Sequence, residues 1–169
     1  MEDVFYEQLV KKNKDKRDFL ITIGLYALAL ILMALCLFFL KAVGILLIFF
    51  IYLGAYQLNA RRKIEYEYIF TNGELDIDCI YNKSKRKRMC TVALSEVEIM
   101  AHIDDKNNMG QFSTVQETKD YSSGLVNKNT YCLLASNNGK KTKFIIEPNE
   151  VLLKAFSRYL TPRKLFIKK

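Results

Sequence analysis

The chain has 169 residues, half of them hydrophobic, with 26 Lys+Arg against 18 Asp+Glu and a formal net charge of +8. That length leaves room for one compact domain beside a further segment. The four cysteines show no C-x-x-C spacing, which argues against a metal site or a disulfide set and for small buried hydrophobes.

Residues 1–18 read as a basic N-terminal segment, with Lys11, Lys12, Lys14, Lys16 and Arg17. Phe19–Leu40 then runs 22 residues without a charge. After Lys41, Ala42–Leu58 adds 17 more, with Gln57 its only strongly polar side chain. Apolar runs of this length match the hydrocarbon core of a bilayer, so residues 19–59 are expected to form a transmembrane helical hairpin turning at Lys41–Gly44. Gly24, Ala27 and Ala34 form a candidate small-residue packing strip. Tyr52 and Tyr56 fall near the inner interface, where amphipathic rings are favoured. Arg61, Arg62 and Lys63 follow the second run, whereas the turn carries Lys41 alone. Lysine and arginine accumulate on the cytoplasmic side. The expectation is a multi-pass protein of the cell membrane with both termini cytoplasmic.

Residues 60–169 hold 20 Lys+Arg and 13 Asp+Glu and read as one cytoplasmic β-rich domain. Ile64–Phe70 and Glu74–Tyr81 alternate apolar and polar residues around Thr71-Asn72-Gly73, which predicts a hairpin. Tyr66, Tyr68, Phe70, Leu75, Ile77 and Cys79 are the candidate core. The basic run Lys83–Arg88 reads as a loop. Met89–Leu94 and Val97–Ile103 are further strands, and 104–129 is expected to hold loops with one or two short strands. Tyr131–Ala135 and Lys143–Ile146 flank Asn137-Asn138-Gly139, a second hairpin. Asn149 is a natural N-cap for a helix whose Leu152, Ala155, Phe156 and Tyr159 share one face, and Pro162 ends it. The tail 163–169 mixes basic and apolar residues.

The fold class is therefore α+β: two transmembrane helices, then six or seven antiparallel strands closed by a C-terminal helix. That order resembles the pleckstrin-homology-like fold, a bent sheet plugged by its last helix. Glu65–Ile77, the Lys85–Arg88 run, Gly139-Lys140-Lys141 and Glu147-Pro148-Asn149-Glu150 resemble a group of small bacterial membrane proteins with two N-terminal spans and a cytoplasmic domain of this kind. The resemblance implies architecture rather than activity. Eukaryotic pleckstrin-homology domains carry phosphoinositide-binding basic residues around their first hairpin loop. Thr71-Asn72-Gly73 has none, so that recognition is not carried over.

No nucleotide-binding glycine loop, G-x-S-x-G or H-E-x-x-H motif occurs. His102, the only histidine, lies near Asp104 and Asp105 and is expected at the surface or capping a turn. Asp76 and Asp78 share a strand face with Glu74, read as solvated, with the basic run as a possible counter-charge. No catalytic residue, cofactor or metal is expected. The candidate contact with an anionic leaflet is Arg61, Arg62, Lys63, Lys83, Lys85, Arg86, Lys87 and Arg88, because a strand leaving the membrane and its return bring the two clusters to one level. Nucleic acid is set aside as a partner for want of any recognised motif. The reading is a membrane-anchored, non-enzymatic module that binds an anionic lipid surface or a protein partner. An accessory subunit contacted through its hairpin is the alternative, with an enzyme behind it.

Overall fold

A computed structural model describes residues 4–13, 16–60, 63–113, 115–137 and 139–167. The chain divides into two compact units. One holds the two sheets and the C-terminal helix, the other the apolar stretch and the turn at Tyr81–Lys83.

The first sheet has the order β1-β2-β3-β4, from β1 (Phe5–Lys11), β2 (Ile64–Thr71), β3 (Glu74–Tyr81) and β4 (Lys85–Ala93). β1 falls inside the segment read from the sequence only as a basic N-terminal segment, with no strand expected there. It pairs antiparallel with β2 along its whole length, from Phe5↔Thr71 to Lys11↔Glu65. The apolar stretch is thus inserted between two neighbouring strands rather than set in front of the domain. β4 begins within the basic run expected to be a loop. The turn before it is Asn82-Lys83-Ser84, with φ of 49° and 55° at Asn82 and Lys83.

The second sheet has the order β6-β8-β7-β5-β9, from β5 (Val97–His102), β6 (Glu117–Asp120), β7 (Tyr131–Asn137), β8 (Lys140–Ile146) and β9 (Leu165–Phe166). Its β5–β7 and β7–β8 pairings are antiparallel. β6 joins β8 and β9 joins β5 in parallel, so the described strands number nine and are not all antiparallel.

Helix α2 (Glu150–Tyr159) starts where its cap demands: the Asn149 side chain accepts the Leu152 N–H at 2.8 Å. Its inner face plugs the core. Phe156 is fully buried and its ring meets Phe70 edge-on, centroids 5.1 Å apart. Tyr66, Tyr68, Phe70, Leu75, Ile77 and Cys79 are all buried, as the alternation predicts. Tyr159 touches Phe70 but stays half-exposed, its ring lying over Gly73.

The helical unit contains α1 (Lys16–Ala60), helical throughout, so the expected turn at Lys41–Gly44 carries helical backbone. A straight helix would separate Thr22 and Asn59, 37 residues apart, by ~55 Å. Instead the Thr22 hydroxyl lies 3.4 Å from Asn59 Oδ1, and the Asn59 amide donates to the Tyr26 hydroxyl at 3.4 Å. The chain therefore doubles back within α1. The less exposed positions are Thr22, Leu25, Ala29, Met33 and Cys36 before the bend, and Gly44, Ile48, Ile51, Ala55 and Asn59 after it. Both sets recur at threes and fours, the spacing of one helix face. Gly24, Ala27 and Ala34 are exposed and do not form the packing strip. Gly44 is required at the bend, because a methyl there would stand 2.5 Å from the Cys36 carbonyl oxygen. Only Arg17–Leu40 is long and apolar enough to cross a membrane among the described residues; Gly44–Ala60 is a shorter apolar helix. Phe38, Phe39, Ile45, Leu46 and Phe50 are more than half exposed, and most other apolar side chains of α1 are exposed as well.

Candidate membrane-surface site

The β3–β4 turn is built by residues that tolerate or are forced into positive φ. Asn82 adopts it readily, whereas Lys83 does so at a steric cost of ~1–2 kcal/mol. The Asn82 N–H donates to the Lys63 carbonyl at 2.8 Å. The turn is thereby fastened to the chain three residues beyond the end of α1. Of the two basic clusters singled out in the sequence, Lys63 and Lys83 come together here. Arg61 and Arg62 lie outside the described residues.

The basic run itself divides by chemistry. Arg86 Nη2 approaches both carboxylate oxygens of Glu67, at 2.9 and 2.8 Å. Glu67 is buried although its strand position points outward. Arg88 bonds Asp78 through Nε and Asp76 through Nη1, the latter at 2.7 Å, and Thr91 donates to Asp76. Desolvation lowers the Arg88 pKa, but hydrogen bonds and charge from Asp78 and Asp76 outweigh it and raise the value. The acidic face is therefore only partly solvated: Glu74 is exposed and Asp76 half-buried, but Asp78 is buried under an arginine. Lys83, Lys85 and Lys87 are exposed, and among the described residues they hold no ion pair. Two of the five basic side chains thus serve the sheet, and three stay available to an outside anion.

Sequence reasoning counted two further lysines only in the basic N-terminal flank and left them out of the contact. Lys11 ends β1 opposite Glu65, and Lys12 follows it; both are exposed. Antiparallel pairing brings the end of β1 beside the start of β2. No local signal could have shown this, because the pairing spans the whole apolar stretch.

A second set of polar groups is internal. The Tyr68 hydroxyl donates to the Tyr121 carbonyl at 2.7 Å and accepts the Glu147 N–H at 3.1 Å. Ser123 donates to the Glu147 carboxylate at 2.8 Å. The Gln8 amide reaches across from β1, donating to the Glu147 carbonyl at 2.7 Å and accepting the Asn149 N–H at 2.8 Å. Burial raises the Tyr68 and Tyr121 hydroxyls and pushes the Cys90 thiol up to about 11.

His102 is buried rather than at the surface. Its Nδ1 accepts the Asp104 N–H at 3.2 Å, and Nε2 lies 3.3 Å from the Asn127 carbonyl. Both ring nitrogens thus have a polar partner, and the Nδ1 contact caps the turn that follows β5, the other of the two expected places. Cys36, Cys79, Cys90 and Cys132 are free thiols, the last three buried. Among the described residues no group of three or more His, Cys, Asp or Glu is arranged to hold a metal ion.

No curated protein and no solved structure matches the chain. A family model described as Bacterial PH-like domain (DUF6106) matches residues 2–167, from before β1 through β9 and across the whole of α1. With two sheets and a plugging C-terminal helix on the page, the chain belongs to this bacterial PH-like family.

Proposed function

We propose that the protein is a membrane-anchored, non-enzymatic module whose apolar insert crosses the bilayer twice and whose lysines rest on the anionic cytoplasmic leaflet. The observation that carries this reading is the pairing Lys11↔Glu65. The residues flanking the insert are cross-strand neighbours, which supports an insert that returns to the side it left and favours two crossings over one. Arg17–Leu40 has the length and composition for one crossing, and Gly44–Ala60 supplies the return near the short limit of ~17 residues. The open apolar side chains on the outward faces of α1 support a lipid surround, since a soluble protein rarely exposes so large an apolar surface. The hydrogen bond from Asn82 to Lys63 brings Lys63 and Lys83 together and supports their meeting headgroup phosphates as a pair. Lys85 and Lys87, close to Lys83 in sequence, and Lys11 and Lys12, at the end of β1, are exposed and are the further cations of the proposal. Each such cation contributes ~1 kcal/mol near an anionic surface.

The test is thiol labelling of whole cells with an impermeant reagent, in a Cys36→Ala background. A cysteine at Ala42 should label from outside and one at Ser84 should not. Ala42 is preferred to Gly44, where any side chain meets Cys36. Labelling of Ser84→Cys from outside, or of neither site in cells whose lysate labels both, would overturn the topology.

A further inference from the structure

We infer that the groove between the open edge of β1 and helix α2 docks an acidic, extended peptide segment of a partner protein. Apart from the backbone of Lys11, which ends the edge, this surface uses residues distinct from the lysines proposed to meet lipid. β1 stands at the end of its sheet and, among the described residues, pairs with β2 alone. The Asn72 N–H donates to the Val4 carbonyl at 3.1 Å. In an antiparallel ladder, paired and unpaired positions alternate. Tyr6, Gln8 and Val10 therefore bond to β2, and the N–H and C=O groups of Phe5, Glu7, Leu9 and Lys11 turn to the open edge. Past the strand, the Asn13 N–H donates to the Ser123 carbonyl at 2.8 Å.

Beside this edge lies a cavity of about 410 Å³ lined by Tyr6, Glu150, Val151, Lys154, Ala155 and Arg158. Ala155 is buried and forms the floor, while Val151 is 52% exposed at the rim. An exposed apolar residue beside an unpaired strand edge is the arrangement that strand addition uses: backbone bonds give affinity and alternate side chains fill pockets. The charges select the partner. Lys154 and Arg158 are exposed one helical turn apart, and among the described residues neither is held in an ion pair. Glu150, at the start of the helix, is the one acid of the lining, so the groove is basic toward the C-terminal end of α2. A peptide that pairs with β1, lowers an apolar side chain beside Val151 and presents carboxylates to Lys154 and Arg158 fits this chemistry.

The experiment uses the full chain in neutral-lipid nanodiscs and two extended probes about as long as β1, one alternating valine with glutamate and the other valine with lysine. The glutamate peptide should bind at least about tenfold more tightly. The charge reversal Lys154→Glu/Arg158→Glu should cost it about tenfold. Hydrogen exchange should show new protection at the Phe5, Glu7 and Leu9 amides. Leu9→Pro removes one outward donor without touching a bond to β2, and it should weaken binding while leaving the ladder protected. Equal affinity for the two peptides, or undiminished binding to the charge-reversed chain, would overturn the proposal. Protection of the same amides without peptide would do so as well, assigning the edge to a second copy if it rose with protein concentration and to lipid if it appeared only in anionic nanodiscs.

Discussion

Lys85, Arg86, Lys87 and Arg88 look alike in sequence and differ in what faces them. Arg86 and Arg88 sit over buried carboxylates, and truncating either leaves an acid without its partner in a poorly solvated place. Arg88→Ala should cost about 1–2 kcal/mol, a figure kept low because the guanidinium is half exposed. Lys85→Ala and Lys87→Ala should stay within about 0.5 kcal/mol. Urea unfolding of the full chain in mild detergent distinguishes them, and equal effects would remove the division of labour. Buried acids of another kind set the alkaline limit. The Cys90 thiol ionises near 9 in the unfolded chain but is pushed up to about 11 in the fold, chiefly by burial. Between these values the native state keeps a proton that the unfolded state has lost, so stability is complete below about pH 9 and falls as pH rises toward 11. Tyr68 and Tyr121 shift in the same direction, for the same reason. Cys90→Ala should flatten the first part of this decline in a series of melts at increasing pH, and an unchanged slope would show that the thiol is not the titrating group.

At the level of elements, the plug and the first strand carry the fold. Phe156→Ala should destabilise the domain by about 3–5 kcal/mol, since its ring is fully buried against Phe70. Gly73→Ala should also destabilise: φ is +96° and the added methyl would lie 2.9 Å from the Tyr159 ring. The plug was legible because Asn149 caps it and its apolar residues recur at helical spacing. β2 and β3 were legible because period-two alternation survives around an Asn-Gly turn. β1 was not legible, since Phe5–Lys11 is a short segment whose partner lies beyond the apolar stretch. The start of β4 was hidden for a different reason. Lysine and arginine suggest a loop until the acids of β2 and β3 are placed opposite them. The two-residue β9 and the parallel β6 rest on distant partners and leave no local pattern. In the candidate site, the lysines were visible as charge, but which cations were free was not. The deletion of residues 1–11 tests the new element. Read as a basic leader, it would be harmless; as a strand holding Glu147 and Asn149 through Gln8, its loss should strip the β2 edge and abolish a cooperative melt.

For the whole molecule, the insert can be separated from the domain, because the chain leaves and re-enters the sheet at adjacent residues. A variant in which residues 13–63 are replaced by a short Asn-Gly turn should close β1 and β2 into an ordinary hairpin. It removes α1 and every apolar side chain that α1 leaves open, so it should be soluble and unfold in one step. Failure to fold would mean that the insert contributes to the core and would leave the pairing of β1 with β2 insufficient to close the domain. The folded variant then isolates the electrostatic part of membrane attachment. It retains Lys11, Lys12, Lys83, Lys85 and Lys87, and it should bind vesicles containing anionic lipid but not neutral ones. Binding should fall with added salt, since exposed charges are screened over about 8 Å at physiological ionic strength. Converting Lys83, Lys85 and Lys87 to glutamine should remove roughly 3 kcal/mol of attraction, about a hundredfold in affinity, with the melt unchanged. Converting Arg86 and Arg88 instead should lower the melting temperature and leave vesicle affinity nearly intact in whatever fraction stays folded. The reverse pattern, with arginines governing binding and lysines governing stability, would reject the assignment of the lysines to the lipid surface.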